Sequence, residues 1–146
     1  MEKILIVDDS LVQATQLKAI LADAYDVTIS QTAEDGLSRA SSENYFLILL
    51  DVVMPGMDGF TLLKKLQEEI VTQYVPVILI TSLADVEHEQ HGLVLGAVDY
   101  ITKPFRPPVV KARVNTHIKL YNYRRRLEQQ SMTDQLTGIA NRRRYD

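Results

Sequence analysis

The sequence predicts an α/β fold with a doubly wound, five-stranded parallel sheet and helices on both of its faces. Short apolar runs alternate with longer segments of helical period five times along the chain, and this alternation is typical of repeated β-α units. Three runs are almost continuous in Ile, Leu and Val, as expected for strands buried on both faces. Right-handed crossovers between such strands place helices above and below the sheet. The predicted strands are residues 4–7, 27–29, 46–50, 75–80 and 98–101.

Capping patterns in the gaps between the apolar runs indicate where helices begin. Three Ser or Thr residues stand three positions before a Gln or an Asp, which is the spacing of a capping box or of its acidic variant. These pairs are Ser10 with Gln13, Thr32 with Asp35, and Ser82 with Asp85. The helix after Gly59 carries Phe60, Leu63 and Leu66 on one stripe, which we expect to face the core.

A long helix is predicted at the end of the chain. We expect it to begin at the Pro107–Pro108 pair, because proline suits the first turn of a helix. Four of its residues share a buried face at helical spacing: Val110, Val114, Ile118 and Tyr121. No Gly or Pro interrupts the segment before Gly138, so the helix can run past the globular body.

Composition excludes several classes of protein. The chain has 146 residues, enough for one domain with a proper core, and 46% hydrophobic against 24% charged residues is an ordinary globular balance. It has no cysteine, which excludes disulfides and thiolate metal sites. No apolar stretch approaches the roughly 18 residues of a membrane span, and no secretory signal is visible, so we expect a cytoplasmic protein. A net charge of −3 argues against nucleic acid as a partner of this chain.

Polar residues fall where the predicted strands end. In a doubly wound sheet, ligands bind at the carboxyl ends of the strands, beside the point where strand order reverses. Four strand ends therefore deliver three carboxylates, a hydroxyl pair and one ammonium to a single edge. Asp8 and Asp9 end the first strand, Asp51 the third, Thr81 and Ser82 the fourth, and Lys103 follows the fifth.

The three carboxylates favour a divalent cation at this edge. Two unit charges about 4 Å apart repel by roughly 4 kcal/mol at an effective dielectric of about 20, so either a proton or a cation must neutralise the cluster. Oxygen ligands without His or Cys favour Mg²⁺, which also accepts a phosphate oxygen. Asp51 is then a candidate nucleophile for phosphoryl transfer, and Lys103 could hold a phosphoryl oxygen. The alternative is that these residues only end strands and cap helices.

These residues resemble the receiver domain of two-component response regulators over residues 1–121. The resemblance implies a flavodoxin-like strand order of 2-1-3-4-5. Four segments carry it: Val7-Asp8-Asp9, the run Asp-Val-Val-Met-Pro-Gly-Met-Asp-Gly at 51–59, Thr-Ser-Leu-Ala-Asp at 81–85, and Gly-Ala-Val-Asp-Tyr-Ile-Thr-Lys-Pro-Phe at 96–105.

The resemblance also implies a role for each site residue. A histidine kinase would phosphorylate Asp51. Asp9 and Asp51 would bind Mg²⁺ with the carbonyl of Val53, and Asp8 would act through water. Thr81, with its neighbour Ser82, and Lys103 would contact the phosphoryl group, while Tyr100 would turn inward as Thr81 moves. Lys103–Pro104 would be a cis peptide. Val53 and Leu83 are apolar, so we expect slow hydrolysis of the phosphoryl group.

The tail at residues 134–146 resembles the opening of GGDEF diguanylate cyclase domains, which make cyclic di-GMP. The matching residues are Asp134, Leu136, Thr137, Gly138, Asn141, Arg142 and Arg143, with Ile139 where Leu is usual. We therefore expect a fragment of a longer protein: a receiver at 1–121, a helical linker at 122–133 and the start of a cyclase at 134–146. By this reading the fragment is no enzyme itself. Without an output domain, the same tail would be a solvated basic segment.

Two GTP-bound cyclase domains must meet face to face, so the tail also implies a homodimer on phosphorylation. Leu120 and Leu127 lie one heptad apart and could pair across the two-fold axis. Three alternatives remain: the receiver of a DNA-binding transcriptional regulator, a free-standing relay receiver, and an Asp-nucleophile phosphatase. The last generally needs an acid-base carboxylate two residues after the nucleophile, where this chain has Val53.

Overall fold

Five strands and five helices alternate in the computed structural model, which describes residues 1–54, 56–82 and 86–138, without the side chains of 86–89 and 129–138. In chain order the elements are β1 (Lys3–Val7), α1 (Leu11–Leu21), β2 (Asp26–Ser30), α2 (Ala33–Ser42), β3 (Leu47–Asp51), α3 (Gly59–Glu68), β4 (Val77–Ser82), α4 (Val86–Leu95), β5 (Asp99–Lys103) and α5 (Pro107–Gly138).

The strands form one parallel sheet in the order β2-β1-β3-β4-β5, which confirms the predicted fold. Strand order reverses between β1 and β3, which lie side by side with Val7 opposite Leu50. The next pairs continue this register, with Asp51 opposite Ile80 on β4. The carboxyl ends of the central strands therefore open onto one edge of the sheet, where a ligand crevice is expected.

The core has two layers because successive strand residues face opposite sides of the sheet. Leu5, Leu50 and Leu79 pack under α2 and α3. Ile6, Leu49 and Ile80 pack under α1 and α5, against the buried Val110, Val114 and Ile118 predicted for the last helix. Since both faces of β1, β3 and β4 are covered, a continuous apolar run was the correct signal for these strands.

Side-chain caps begin three of the helices. Ser10 Oγ accepts a hydrogen bond from the Gln13 backbone N–H, and Thr32 Oγ1 accepts one from Asp35, at 3.3 and 3.1 Å, so both predicted caps are confirmed. Asp58 Oδ1 accepts from the Thr61 N–H at 2.8 Å, a cap that the sequence analysis missed. In the third predicted pair, Asp85 lies outside the described residues.

The ends of the last two strands differ from the predicted ones. Strand β4 starts at Val77 and not at Val75, because the N–H of Val75 closes a turn onto the Thr72 carbonyl at 3.1 Å and is not available for pairing. At its other end the strand extends to Ser82. Strand β5 likewise extends to Lys103, which lies opposite Ser82. Backbone pairing therefore continues past the apolar runs into the polar residues that follow them.

Two predicted core positions are only half-buried. Leu62 joins Leu63 and Leu66 in the core under α3, which leaves Phe60 at its margin. Tyr121 on α5 lies against the edge of Phe46, with ring centroids 5.9 Å apart, instead of entering the core below Ile118.

Helix α5 is continuous from Pro107 to Gly138, as the absence of helix breakers predicted. It takes in the first part of the tail motif, whereas residues 139–146 with Ile139, Asn141, Arg142 and Arg143 lie outside the described residues. Leu83 does so too. No helix in the described part of the chain combines the length and apolar character that crossing a membrane requires.

Gly92 lets α4 approach the sheet closely, and Gly92→Ala is expected to destabilise the fold. A Cβ at this position would lie 1.9 Å from Cδ1 of the fully buried Leu79. Overpacking of this kind typically costs about 1–3 kcal/mol, more than the gain in helix propensity. Chemical denaturation of the single variant should show this loss. In a Leu79→Val background, which lacks the clashing atom, the same substitution should cost clearly less, and an equal cost in both would contradict the steric explanation.

Candidate functional site

Three carboxylates converge at the carboxyl ends of β1 and β3. Asp51 is the last residue of β3, and Asp8 follows β1 directly beside it. One carboxylate oxygen from each of Asp8, Asp9 and Asp51 lies within 4.8 Å of the other two. Asp8 and Asp51 are buried, at 0% and 4% exposure, whereas Asp9 is open to solvent. The three acids that were predicted to meet at the strand ends therefore do lie together in the structure.

Backbone N–H groups hold one oxygen of each buried acid. Asp8 Oδ1 accepts from Ser10 N–H at 2.9 Å, and Asp51 Oδ1 accepts from Val53 N–H at 3.1 Å. The second oxygens are left for other partners. Asp8 Oδ2 is buried and, as a carboxylate oxygen, has no hydrogen-bond partner. The two fixed oxygens therefore orient both carboxylates and leave one oxygen of each for chemistry.

Lys103 supplies the positive charge of the site. Its Nζ lies 3.6 Å from Asp51 Oδ2, an ion pair that is too long for a good hydrogen bond. Lys103 ends β5 and reaches across β4 to the acid of β3. The Lys103–Pro104 peptide is cis, as expected. The ammonium is thus close enough to attract an anion bound at Asp51 without being locked to that carboxylate.

Burial raises the pKa of Asp8 to about 7, from an ordinary value near 3.8. The hydrogen bond from Ser10 N–H and the charge of Lys103 act in the opposite direction, while the adjacent Asp51 raises the pKa further. A protonated Asp8 can share its proton with Asp51, whereas two ionised groups cannot. The site therefore favours a proton or a cation between these two carboxylates.

The donor set fits a hard divalent cation. All of its side-chain ligands are carboxylate oxygens, and Asp8 Oδ2 is a buried acceptor whose desolvation is otherwise uncompensated. Mg²⁺ binds through one or two carboxylates and keeps several of its waters. The exposed Asp9 leaves the cluster open on one side for those waters.

Gly59 brings the start of α3 against the acidic site, and the sequence analysis had not assigned it this role. A Cβ there would lie 2.4 Å from the Asp51 carbonyl oxygen and 2.7 Å from Val52 Cα. The Gly59 N–H donates to Val52 O at 3.3 Å. A side chain at position 59 would therefore displace the segment that carries Asp51. Only the position of Gly59 directly after the Asp58 cap gave a hint of this in the sequence.

The remaining predicted residues lie on β4 and β5 or just after a strand end. Thr81 is buried, and Ser82 and Tyr100 are half-buried, with Thr81 opposite Thr102 in the sheet. Val53 is exposed at the mouth of the site. Pro104 is also exposed and lines the groove beside Lys103.

Arg113 on α5 contacts Tyr100 in two ways. Its guanidinium donates to the Tyr100 carbonyl oxygen and lies 5.3 Å from the centroid of the Tyr100 ring. Arg113 also lies 3.9 Å from Asp99, whose other oxygen is 3.1 Å from His117 Nε2. The sequence gave no signal for this group beyond the spacing of Arg113 and His117 along one side of the buried stripe.

A family model described as the response regulator receiver domain matches residues 4–115. The chain belongs to this family. Receiver domains take phosphoryl groups from histidine kinases and bind Mg²⁺ through acidic residues.

Known relatives of this receiver differ beyond the matched region. The chain is 37% identical over 116 residues to a Vibrio cholerae protein named "Probable cyclic di-GMP phosphodiesterase", covering 80% of this chain and 26% of that protein. It is 40% identical over 119 residues to the transcriptional regulatory protein CiaR of Streptococcus pneumoniae, covering 82% and 52%. The chain thus spans a quarter to a half of these relatives.

Solved receiver structures resemble this one closely. The receiver domain of the Francisella response regulator 1452 has a TM-score of 0.74 at 32% identity, over 82% of this chain and 98% of that one. The similarity therefore covers almost the whole of a solved receiver domain and about four fifths of this chain.

Asp8 is expected to make the metal-free receiver less stable as pH rises. Its pKa is raised on folding, so the folded state holds the proton more tightly, and stability falls between about pH 4 and pH 7. Each pKa unit is worth about 1.4 kcal/mol, so the loss is at most about 4 kcal/mol. Urea denaturation in chelator should show it, and Asp8→Asn, which keeps an acceptor for Ser10, should remove this part of the pH dependence. Identical profiles for the two proteins would contradict the raised pKa.

Proposed function

We propose that this receiver accepts a phosphoryl group on Asp51 from a sensor histidine kinase and uses it to control an output domain. The observation that carries the proposal is the position of Asp51 between two kinds of charge. On one side lie the carboxylates of Asp8 and Asp9, and on the other lies the Lys103 ammonium at 3.6 Å. A nucleophile for phosphoryl transfer needs both a charge-neutralising group and a cation for the transferred oxygens.

The reaction follows from this geometry. An oxygen of Asp51 attacks the phosphorus of a phosphohistidine, the P–N bond breaks with its electron pair staying on the departing imidazole of the kinase, and an acyl phosphate remains on Asp51. Val53 N–H holds Asp51 Oδ1 at 3.1 Å, which points Oδ2 toward Lys103 and makes Oδ2 the attacking atom. The Lys103 ammonium then pairs with the phosphoryl oxygens and no longer with the carboxylate. Thr81 and Ser82 contact the phosphoryl group as well. Val53 offers no polar side chain to orient an attacking water, so the acyl phosphate should be long-lived.

Mg²⁺ is the cofactor that this donor set suits best. Asp9 and Asp51 would hold it directly with the carbonyl of Val53, and Asp8 would hold it through water. When bound, the ion neutralises charge between the acids and on the incoming phosphoryl group. The buried, unpartnered Asp8 Oδ2 supports this assignment, since a water on the ion would supply its missing hydrogen bond.

An open groove beside Lys103 suits the kinase as docking partner. Gln13, Gln16 and Ile20 of α1 line it on one side, and Pro104 and Phe105 on the other, with a volume of about 700 Å³. Val12, on the same helix, is largely exposed. A helix of the kinase lying along α1 would bring its phosphohistidine to the carboxyl edge of the sheet.

Asp51→Asn is expected to abolish phosphorylation, because the amide removes the nucleophile while keeping the shape of the side chain. Phosphorylation of the wild type and the variant is measured as labelling by acetyl phosphate or by a cognate kinase, in the presence of Mg²⁺ and in chelator. Asp58→Asn is the matched control, since this nearby exposed carboxylate only caps α3 and should leave labelling unchanged. Equal labelling of the Asp51 variant would refute the assignment, and undiminished labelling in chelator would refute the cofactor.

Tyr100 and Arg113 form the proposed route from the site to α5. Thr81 moving toward a phosphoryl group opens space beside β5, into which Tyr100 can turn. The Arg113 guanidinium lies over the Tyr100 ring at 5.3 Å and would lose this contact. Arg113 belongs to the helix that continues to Gly138, so a change at Tyr100 reaches the output segment directly.

A diguanylate cyclase is the output that the tail supports best. The Asp-x-Leu-Thr-Gly match at 134–138 and the following Asn-Arg-Arg explain residues that receiver function leaves unexplained. The Vibrio cholerae relative is named as a phosphodiesterase of cyclic di-GMP and not as a cyclase, so the tail motif alone supports this output, and CiaR keeps a transcriptional output as the alternative. In this proposal the receiver ends near residue 121, and a helical linker separates it from the cyclase at 134.

Phosphorylation is expected to favour a two-fold homodimer of this chain. Leu120 and Leu127 are exposed on α5 and could pair between two copies. Light scattering at tens of micromolar should give a mass near 16.6 kDa without a phosphoryl mimic and about twice that with beryllofluoride and Mg²⁺. Asp51→Asn should remain monomeric under both conditions. A wild-type chain that is monomeric throughout would rule out receiver-driven dimerisation.

A further inference from the structure

Two arginines of α5 lie over aromatic rings at the edge of the sheet opposite the acidic site. Arg124 is 4.1 Å from the ring centroid of Tyr74, which precedes β4. Arg125 is 5.1 Å from the ring of Phe46, which precedes β3, and 5.6 Å from that of Tyr121. These distances are within the range of cation–π attraction. Two successive arginines thus attach one turn of the helix to two different loops of the body.

Neighbouring contacts extend this attachment. The Phe46 and Tyr121 rings meet edge to face, with planes at 90°. Asn122 Nδ2 donates to Glu2 Oε2 at 3.2 Å, which adds the start of the chain to the group. Arg124 also pairs with Glu128 at 3.4 Å, one turn further along the helix. Contacts with the body therefore persist to Arg125, well after Ile118, the last buried apolar residue in the described part of α5.

The chemistry of arginine suits this position better than that of lysine. A flat guanidinium can stack on a ring while its edge keeps hydrogen bonds to water or to Glu128, so it loses little hydration. Helix packing by apolar residues has ended here, and a helix without tertiary contacts frays readily in water. The two arginines are thus the cationic contacts that hold this turn of α5 to the body, beside the Tyr121 ring and the hydrogen bond of Asn122.

We propose that Phe46, Tyr74, Tyr121, Arg124 and Arg125 form a basal clamp that fixes the direction and rotational phase of α5 where it leaves the receiver body. Residues 126–138 then extend as a rigid continuation of a helix held at this clamp. All contacts of the clamp are present without a phosphoryl group. The clamp is therefore a separate proposal that does not depend on phosphorylation of Asp51. Any output domain attached to α5 receives a defined orientation from the clamp.

Spin-label distances measure the direction of the helix. The chain has no cysteine, so labels at Glu68→Cys on α3 and Gln130→Cys on α5 require no other change. Labelled protein is diluted with unlabelled protein, so that only distances within one chain are recorded. The unphosphorylated wild type should give a narrow distribution. The Arg124→Gln and Arg125→Gln double variant should at least double its width, and amide exchange at 119–126 should quicken about tenfold.

Matched variants separate the clamp from general effects of charge and packing. Arg126→Gln is the charge control, because Arg126 has no ring or ion-pair contact with the residues that the structure describes, and it should behave as wild type. Tyr74→Phe should keep the narrow distribution, while Tyr74→Leu, which is apolar but has no ring, should broaden it. Slow exchange in β1 and β3 verifies that the body remains folded. Wild-type width in the double variant, or equal broadening in Arg126→Gln, would overturn the clamp.

Discussion

The carboxylates of Asp8 and Asp51 leave adjacent parallel strands at the same level, and both are buried where they meet. One oxygen of each acid lies within 4.8 Å of the other, and at such distances two full charges repel by roughly 3 kcal/mol or more at an effective dielectric of about 20. This repulsion is a direct result of the sheet register, because Val7 and Leu50 are locked opposite each other. The other parts of the site compensate this repulsion: a backbone N–H donates to each of the two buried acids, the Lys103 ammonium lies near Asp51, and a cation can bind beside Asp9.

The fold stabilises this arrangement with elements that lie some distance from the acids. The Asp58 cap and Gly59 set the first turn of α3 close against the backbone of Asp51 and Val52. The cis peptide after Lys103 turns the chain from β5 into α5. A cation bound between the acids would relieve the repulsion of Asp8 and Asp51, which favours cation binding at this edge of the sheet.

The sequence predicted those features that depend on local pattern. Apolar runs identified all five strands, and the runs were almost continuous where a strand is covered on both faces. Asp8, Asp9, Asp51 and Lys103 followed from their places after these runs. Strand ends were less accurate, since the ladder of β4 continues through Thr81 and Ser82, which carry no apolar signal.

Features that depend on tertiary contact were not predicted. The role of Gly59 requires knowing how closely α3 approaches Asp51, and the contact of Arg113 with Tyr100 requires the packing of α5 on β5. The stacking of Arg124 and Arg125 is a similar case, because a run of arginines in a sequence is more often a solvated face. Helix α5 thus joins the proposed switch at Arg113 to the proposed clamp at Arg125, twelve residues later. Neither set of contacts can be predicted from the local sequence pattern.

The central claim is that Asp51, and no other acid of the cluster, carries the phosphoryl group. Chemical trapping tests it without any variant: borohydride reduces an acyl phosphate to an alcohol and so converts a phosphorylated aspartate to homoserine. The receiver would be treated with acetyl phosphate and Mg²⁺, reduced, digested and sequenced by mass spectrometry. The account predicts homoserine at position 51, with Asp8, Asp9 and Asp58 intact. Homoserine at any of those three positions, with Asp51 unmodified, would contradict it.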